Sequence, residues 1–204
     1  MLNTLYTQLA ATSWVEWLGM ATGIAGVYLS IKEQTAAWPL YITCYSCYVY
    51  ISYCFGLHAF MGMNIAFIAI SLYGFWKWGR NRHGQADELP ITRTKAEHWP
   101  LAGLFLLSGT LGIGWLLGMR GEAHLPYLDA FATCCGLVAQ WMLSRKHIET
   151  WIFWTLSDFV YLGIFAAGQS WPSVILFSVF IVLAIKGWRE WWPGLSSKPC
   201  NALS

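Results

Sequence analysis

The chain has 204 residues, 57% of them hydrophobic and 11% charged, and a mean hydropathy of +0.47. A single soluble core of this size cannot bury so much apolar surface, so a bilayer has to solvate the remainder. The formal net charge of +2 gives no reason to expect a nucleic-acid partner, because its small value conceals a segregation of charge along the chain.

A helix needs roughly 20 mostly apolar residues to cross about 30 Å of hydrocarbon. Stretches of that character fall near 13–30, 38–54, 57–78, 99–118, 126–143, 150–167 and 172–192. The expected fold is an all-α membrane protein with seven transmembrane helices. No basic region precedes the first span, so no cleavable signal peptide is expected.

Helix one carries Glu16 in its first turn, where a capping or gating role is expected. Helix two places Trp38, Tyr41, Tyr45 and Tyr48 along one face. It also holds Cys44 and Cys47, but this C-x-x-C lies inside an apolar span without a second pair, so metal is not expected. Helix three contains Asn64, whose amide needs a partner within a membrane. The polar segment Gly79–His98 is expected to be a solvated loop that anchors topology. Helix four has no chemistry-bearing residue of its own, and Asp129 opens helix five much as Glu16 opens helix one.

Helix six is the most informative. Spacings of three, four and three set Trp151, Trp154, Asp158 and Tyr161 on one face. An ionisable group inside a span costs about 2.5–3.5 kcal/mol on insertion scales and by default marks a pathway or ligand site. Trp38 and Trp151 lie near helix starts, where interfacial aromatic residues are also expected, whereas Tyr41 and Trp154 lie a turn deeper and favour a site. Helix seven carries Lys186, the position a retinal-binding seven-helix protein would need. It lies near the helix end beside Arg189, where it can snorkel, which disfavours that reading.

With the N-terminus outside, the loops after helices one, three and five and the C-terminal tail share one face. They hold Lys32; Lys77, Arg80, Arg82, Arg93 and Lys95; Arg145 and Lys146; and Lys186, Arg189 and Lys198, which is eleven of the twelve Lys and Arg. Arg120 alone lies opposite, so the positive-inside rule gives N-out, C-in.

The chain also repeats internally. A shift of 113 positions superposes Glu16 on Asp129, Gly23 on Gly136, Lys32 on Arg145, Trp38 on Trp151, Tyr48 on Tyr161, Gly74 on Gly187 and Trp78 on Trp191. Two three-helix units, 13–78 and 126–192, are thus expected around a cytoplasmic loop at 79–98 and a connecting helix at 99–118, with a cytoplasmic tail at 193–204. One intervening crossing makes the units parallel, a plan recurrent in transporters, with the substrate site between the repeats near the midplane. No catalytic triad, zinc-protease or phosphate-loop pattern is present, so neither an enzyme nor a cofactor is expected.

Several segments together resemble the Pnu-type vitamin transporters, the nicotinamide riboside transporter family, from Ser13 to Trp192. They are Ser13–Gly19 (SWVEWLG), Leu72–Trp78 (LYGFWKW), Ser144–Lys146, and Trp151-x-x-Trp154-x-x-x-Asp158. The resemblance implies a full-length SWEET-like 3+1+3 arrangement in a bacterial inner membrane. It further implies facilitated diffusion of a dephosphorylated vitamin or precursor, trapped afterwards by a cytoplasmic kinase. Trp151, Trp154 and Asp158 would contact substrate, opposed by residues of helices two and three; Trp38, Tyr41, Tyr45, Asn64 and Tyr161 complete the expected site. The resemblance makes nicotinamide riboside the lead substrate; because this family often has Asn in helix six where this chain has Asp158, thiamine, carried by related members, is a close competitor. The partners expected are the vitamin, the lipid bilayer and the trapping kinase, and the sequence is compatible with a homo-oligomer.

Overall fold

In a computed structural model, residues 12–80, 89–121 and 125–196 are described. Among them are seven long helices: α1 Trp14–Ile31, α2 Ala37–Cys54, α3 His58–Arg80, α4 Trp99–Arg120, α5 Pro126–Ser144, α6 Thr150–Ala167 and α7 Trp171–Ser196. Each expected span corresponds to one helix. The last runs beyond its expected end at residue 192, through Pro193 to Ser196. Arg82 and Lys198, both used in the orientation argument, lie outside the described residues.

Length and apolarity alone qualify four of these helices to cross a membrane, those beginning at His58, Ala96, Thr150 and Trp171. The others, with 18, 18 and 19 residues, are as long as the shortest of these but less apolar, and for α5 burial explains how that is tolerated: Ala132 through Gln140 is buried without interruption. A helix sheathed by protein can carry Asp129, Thr133 and Gln140 because its surroundings can hydrogen-bond them. Gln140 donates to Ser71 of α3 at 3.0 Å, and Thr133 shares a 2.7 Å hydrogen bond with Tyr161 of α6. Helix α1 begins with a reciprocal cap: the Glu16 N–H donates to the Ser13 hydroxyl and the Ser13 N–H to the Glu16 carboxylate at 2.6 Å. The capping role expected of Glu16 is therefore what it performs.

Neighbouring helices pack in the order α1, α2, α3, α5, α6, α7 and back to α1, forming a closed ring of six. Helix α4 stands outside this ring, packed on α5 and barely touching α3. Matching contacts recur at the 113-residue spacing. Trp38 crosses edge-on to Trp78 (centroids 5.3 Å, 87°), and Trp151 to Trp191 (5.2 Å, 82°). The indole N–H of Trp78 donates to Ser144 O at 3.2 Å and that of Trp191 to Ile31 O at 3.1 Å. The turns after α1 and α5 also match: Glu33 (φ 55°) and Lys146 (φ 56°) are both left-handed, and the two side chains meet each other at 2.6 Å. Trp38 covers Gly74 and Trp151 covers Gly187, where a Cβ would stand 2.6 Å from the indole. Only glycine lets these rings lie against the helix backbone.

The segment expected to be a solvated loop is in part docked. The Thr92 N–H donates to Lys146 O and the Ile148 N–H to Thr92 O, both at 3.0 Å. Thr94 is buried, and its N–H and hydroxyl both donate to Glu149 at 2.9 Å. Unpaired backbone groups of the connection are satisfied by the turn between α5 and α6, an alternative to water that composition does not reveal.

Candidate functional site: a central aromatic cavity with one carboxylate

All six ring helices, and not α4, line a cavity of about 310 Å³, at the lower end of the range for small-molecule sites. Seven of the eight expected site residues line it: Tyr41 and Tyr45 from α2, Asn64 from α3, and Trp151, Trp154, Asp158 and Tyr161 from α6. The i, i+3, i+4 spacing of the α6 residues turns them to one side, and the ring closure turns that side inward.

Trp38 is not among the lining residues. It is fully buried below the cavity, beneath Gly74, in a cluster with Ile31, Trp78, Leu143, Ile148 and Trp191. This cluster closes the end of the cavity nearest Lys32, Lys146 and Glu190. Trp151 lines the cavity and also belongs to this floor, being 1% exposed against Gly187. Among the described residues, the indole N–H groups of both Trp38 and Trp151 are buried without a partner.

Between Tyr41 and Trp154 stand two further rings, giving a continuous stack: Tyr41 to Tyr45 (6.1 Å, 14°), Tyr45 to Phe67 (4.8 Å, 16°) and Phe67 to Trp154 (6.4 Å, 19°). Phe67 was missed by sequence reasoning, since a lone Phe in an apolar helix has no distinguishing pattern. A signal existed nonetheless. Phe67 and Phe180 are 113 apart; the first packs against Gly136 and the second against Gly23, themselves 113 apart.

The polar groups are few. Tyr41 accepts from Ser30 at 3.1 Å, and Tyr161 is held by Thr133 with Asp129 beside it. The Asn64 amide N–H donates to Phe60 O at 2.9 Å, which leaves its carbonyl available to the cavity. Asp158 is 4% exposed, and among the described residues no hydrogen bond or ion pair engages its carboxylate. Its neighbour Ser157, also lining, donates to Ala132 O instead. Lys186 does not line the cavity; it lies 3.8 Å from Glu190 and over the Tyr28 ring.

A closed ring of six helices around a solute-sized cavity, in a chain with four helices long and apolar enough to cross a membrane, fits a multi-pass membrane protein built for transport. The sequence signature of the nicotinamide mononucleotide transporter family matches residues 13–193. The chain belongs to that family, the Pnu-type vitamin transporters. The nicotinamide riboside transporter PnuC of Neisseria mucosa is 25% identical over 191 residues, covering 88% of this chain and 72% of that protein. The riboflavin/roseoflavin transporter RibM of Streptomyces davaonensis is also 25% identical, over 185 residues, covering 88% and 84%. A crystal structure of the vitamin B3 transporter PnuC shares the fold, with a TM-score of 0.72 at 20% identity over 96% of this chain and 89% of that one.

Proposed function

We propose that the chain admits a dephosphorylated, cationic aromatic vitamin by facilitated diffusion, with nicotinamide riboside as the lead substrate and thiamine as the alternative. The observation that carries this reading is Asp158, a buried carboxylate that lines the cavity without a protein partner. An unpaired charge is costly in such a setting, and a ligand that brings a cation offsets that cost. Both vitamins contain a quaternary aromatic nitrogen, which ring faces attract by roughly 0.5–2 kcal/mol per contact. Trp154, Phe67 and Tyr45 supply those faces. Trp151, Tyr41, Asn64 and Tyr161 complete the site; Trp38 acts beneath it by holding the floor.

The organisation we assign is a SWEET-like 3+1+3 parallel repeat, N-terminus outside and C-terminus cytoplasmic, in a bacterial inner membrane. The two units move against each other around the cavity. For the basic end to open, Glu33 must part from Lys146 and Lys32 from Glu190, since both pairs join one unit to the other. Substrate leaves chemically unchanged, and a cytoplasmic kinase traps it by phosphorylation.

The family's description names the mononucleotide, but a phosphate would add roughly −1.5 to −2 charges beside Asp158, so the riboside is expected to bind more tightly. The test is a titration of purified protein, followed by tryptophan fluorescence, against nicotinamide riboside, thiamine, riboflavin and nicotinamide mononucleotide. Saturable binding with either cation tightest supports the proposal. Tightest binding of riboflavin, the ligand named for the Streptomyces relative, or of the mononucleotide would overturn it.

A further inference from the structure

Not every contact recurs at the 113-residue spacing, and one of the differences involves charge. At the basic end of α1, Lys32 meets Glu190 of α7 at 2.9 Å. Lys186 lies 3.8 Å from the same carboxylate and 5.4 Å from the centroid of the Tyr28 ring. The corresponding positions are Arg145 for Lys32, Lys77 for Glu190, Tyr73 for Lys186 and Trp141 for Tyr28. Cation-over-ring contacts form here too, between different positions: Arg145 lies 4.5 Å from the Trp141 centroid and Lys77 5.7 Å from that of Tyr73. The carboxylate has no counterpart. A second cation stands in its place, and among the described residues neither Lys77 nor Arg145 has an ion-pair partner.

Other groups at this spot point the same way. Among the described residues, Nε of Arg145 and Nδ1 of His98 are buried without partners. His98 and His147 both pack on Trp141, with centroids 5.8 and 6.2 Å away. Burial holds the His147 pKa below its ordinary value, and the charges of Arg145, His98 and Lys77 oppose its protonation while that of Glu149 favours it. Glu149 is itself engaged by Thr94. The neighbourhood is cationic and short of one anion.

An apolar groove of about 480 Å³ starts here, with His98 and Trp141 at its basic end and Leu101, Phe105, Leu137 and Val138 among its walls. It occupies the wedge that remains because α4 packs on α5 and hardly on α3. Its walls lie within membrane-crossing helices. A ligand that satisfies both features has an anionic head and a hydrocarbon tail, and the bilayer supplies such molecules at the cytoplasmic leaflet.

We infer that this wedge is a binding site for an anionic phospholipid, its phosphate held by Lys77 and Arg145 and one acyl chain lying in the groove between α3, α4 and α5. A guanidinium and an ammonium can each donate charge-assisted hydrogen bonds to a phosphate, replacing the carboxylate that the other side possesses. The lipid would brace α4 against α3.

Native mass spectrometry of the full chain, released from neutral detergent after incubation with phosphatidylglycerol or phosphatidylcholine, tests this. The parent should retain phosphatidylglycerol at least tenfold more than phosphatidylcholine. Lys77→Gln combined with Arg145→Gln should abolish the preference, whereas Lys186→Gln on the opposite side should leave it intact. Val138→Trp, which fills the groove without altering charge, should also lower retention severalfold. If the double variant fails to elute as a single species, Lys77→Gln alone carries the test, with a loss of at least threefold expected. Equal retention of the two lipids by the parent, or an unchanged preference in the charge variants, would overturn the inference. So would efficient disulfide dimerisation of Leu101→Cys in membranes, which would show a second copy filling the groove.

Discussion

In the proposed site Asp158 and Trp154 would act on a ligand through different physics, and substitution separates them. Asp158→Asn keeps shape and removes charge; it should weaken a cationic vitamin about tenfold or more while leaving a neutral isostere nearly unchanged, because the attraction operates in a low-dielectric cavity. Trp154→Ala should weaken both ligands by a similar factor, since it removes stacking area. Isothermal titration of the two variants, each checked for a monodisperse elution profile, decides the matter. Equal binding of the cation by parent and Asp158→Asn would make Asp158 a structural residue. That Asp158 is a candidate was readable from the sequence, because a carboxylate in an apolar span is rare and costly. That Phe67 stands between Tyr45 and Trp154 was not, because apolar residues are ordinary in such a span and only packing distinguishes one from another.

Between elements, the glycine pairs set how closely helices approach. A Cβ at Gly187 would stand 2.6 Å from the Trp151 indole, a bulky ring with no flexible end to give way. Gly187→Ala should therefore lower stability by roughly 1–3 kcal/mol, the usual cost of overpacking, seen as a lower melting temperature in detergent. Gly163→Ala, where no atom lies within 4 Å of the added methyl, should leave melting unchanged or raise it slightly. Equal melting of all three proteins would mean that Trp151 can rearrange and that the floor is less fixed than its burial implies. The helices themselves were legible, since each needs a span-length apolar run, and the repeat was legible because Trp38, Gly74 and Trp78 recur as Trp151, Gly187 and Trp191. The docking of Thr92 and Thr94 onto the α5–α6 turn was hidden, because a polar segment satisfies its backbone equally well with water.

For the whole molecule, the expected behaviour is equilibration. Apart from the carboxylate assigned to the substrate, no titratable group lining the cavity suggests a separate ion site, so vesicles containing the protein should fill with nicotinamide riboside to the external concentration and no further. Uptake several times above equilibrium under a proton or sodium gradient would contradict this, and would direct attention to Asp129 beside Tyr161. Composition, hydrophobic spacing and charge distribution determined that this is a seven-helix membrane chain with an internal repeat, a basic face and a marked helix six. Tertiary structure alone decided that six helices close into a ring with α4 outside, that Trp38 lies in the floor while Trp151 reaches the cavity, and that Glu190 meets Lys32 across the two units. The reason is the solvent: lipid and protein interior are similarly apolar, so the face of a membrane helix reports little about which neighbour it meets, and small differences in close packing make that choice.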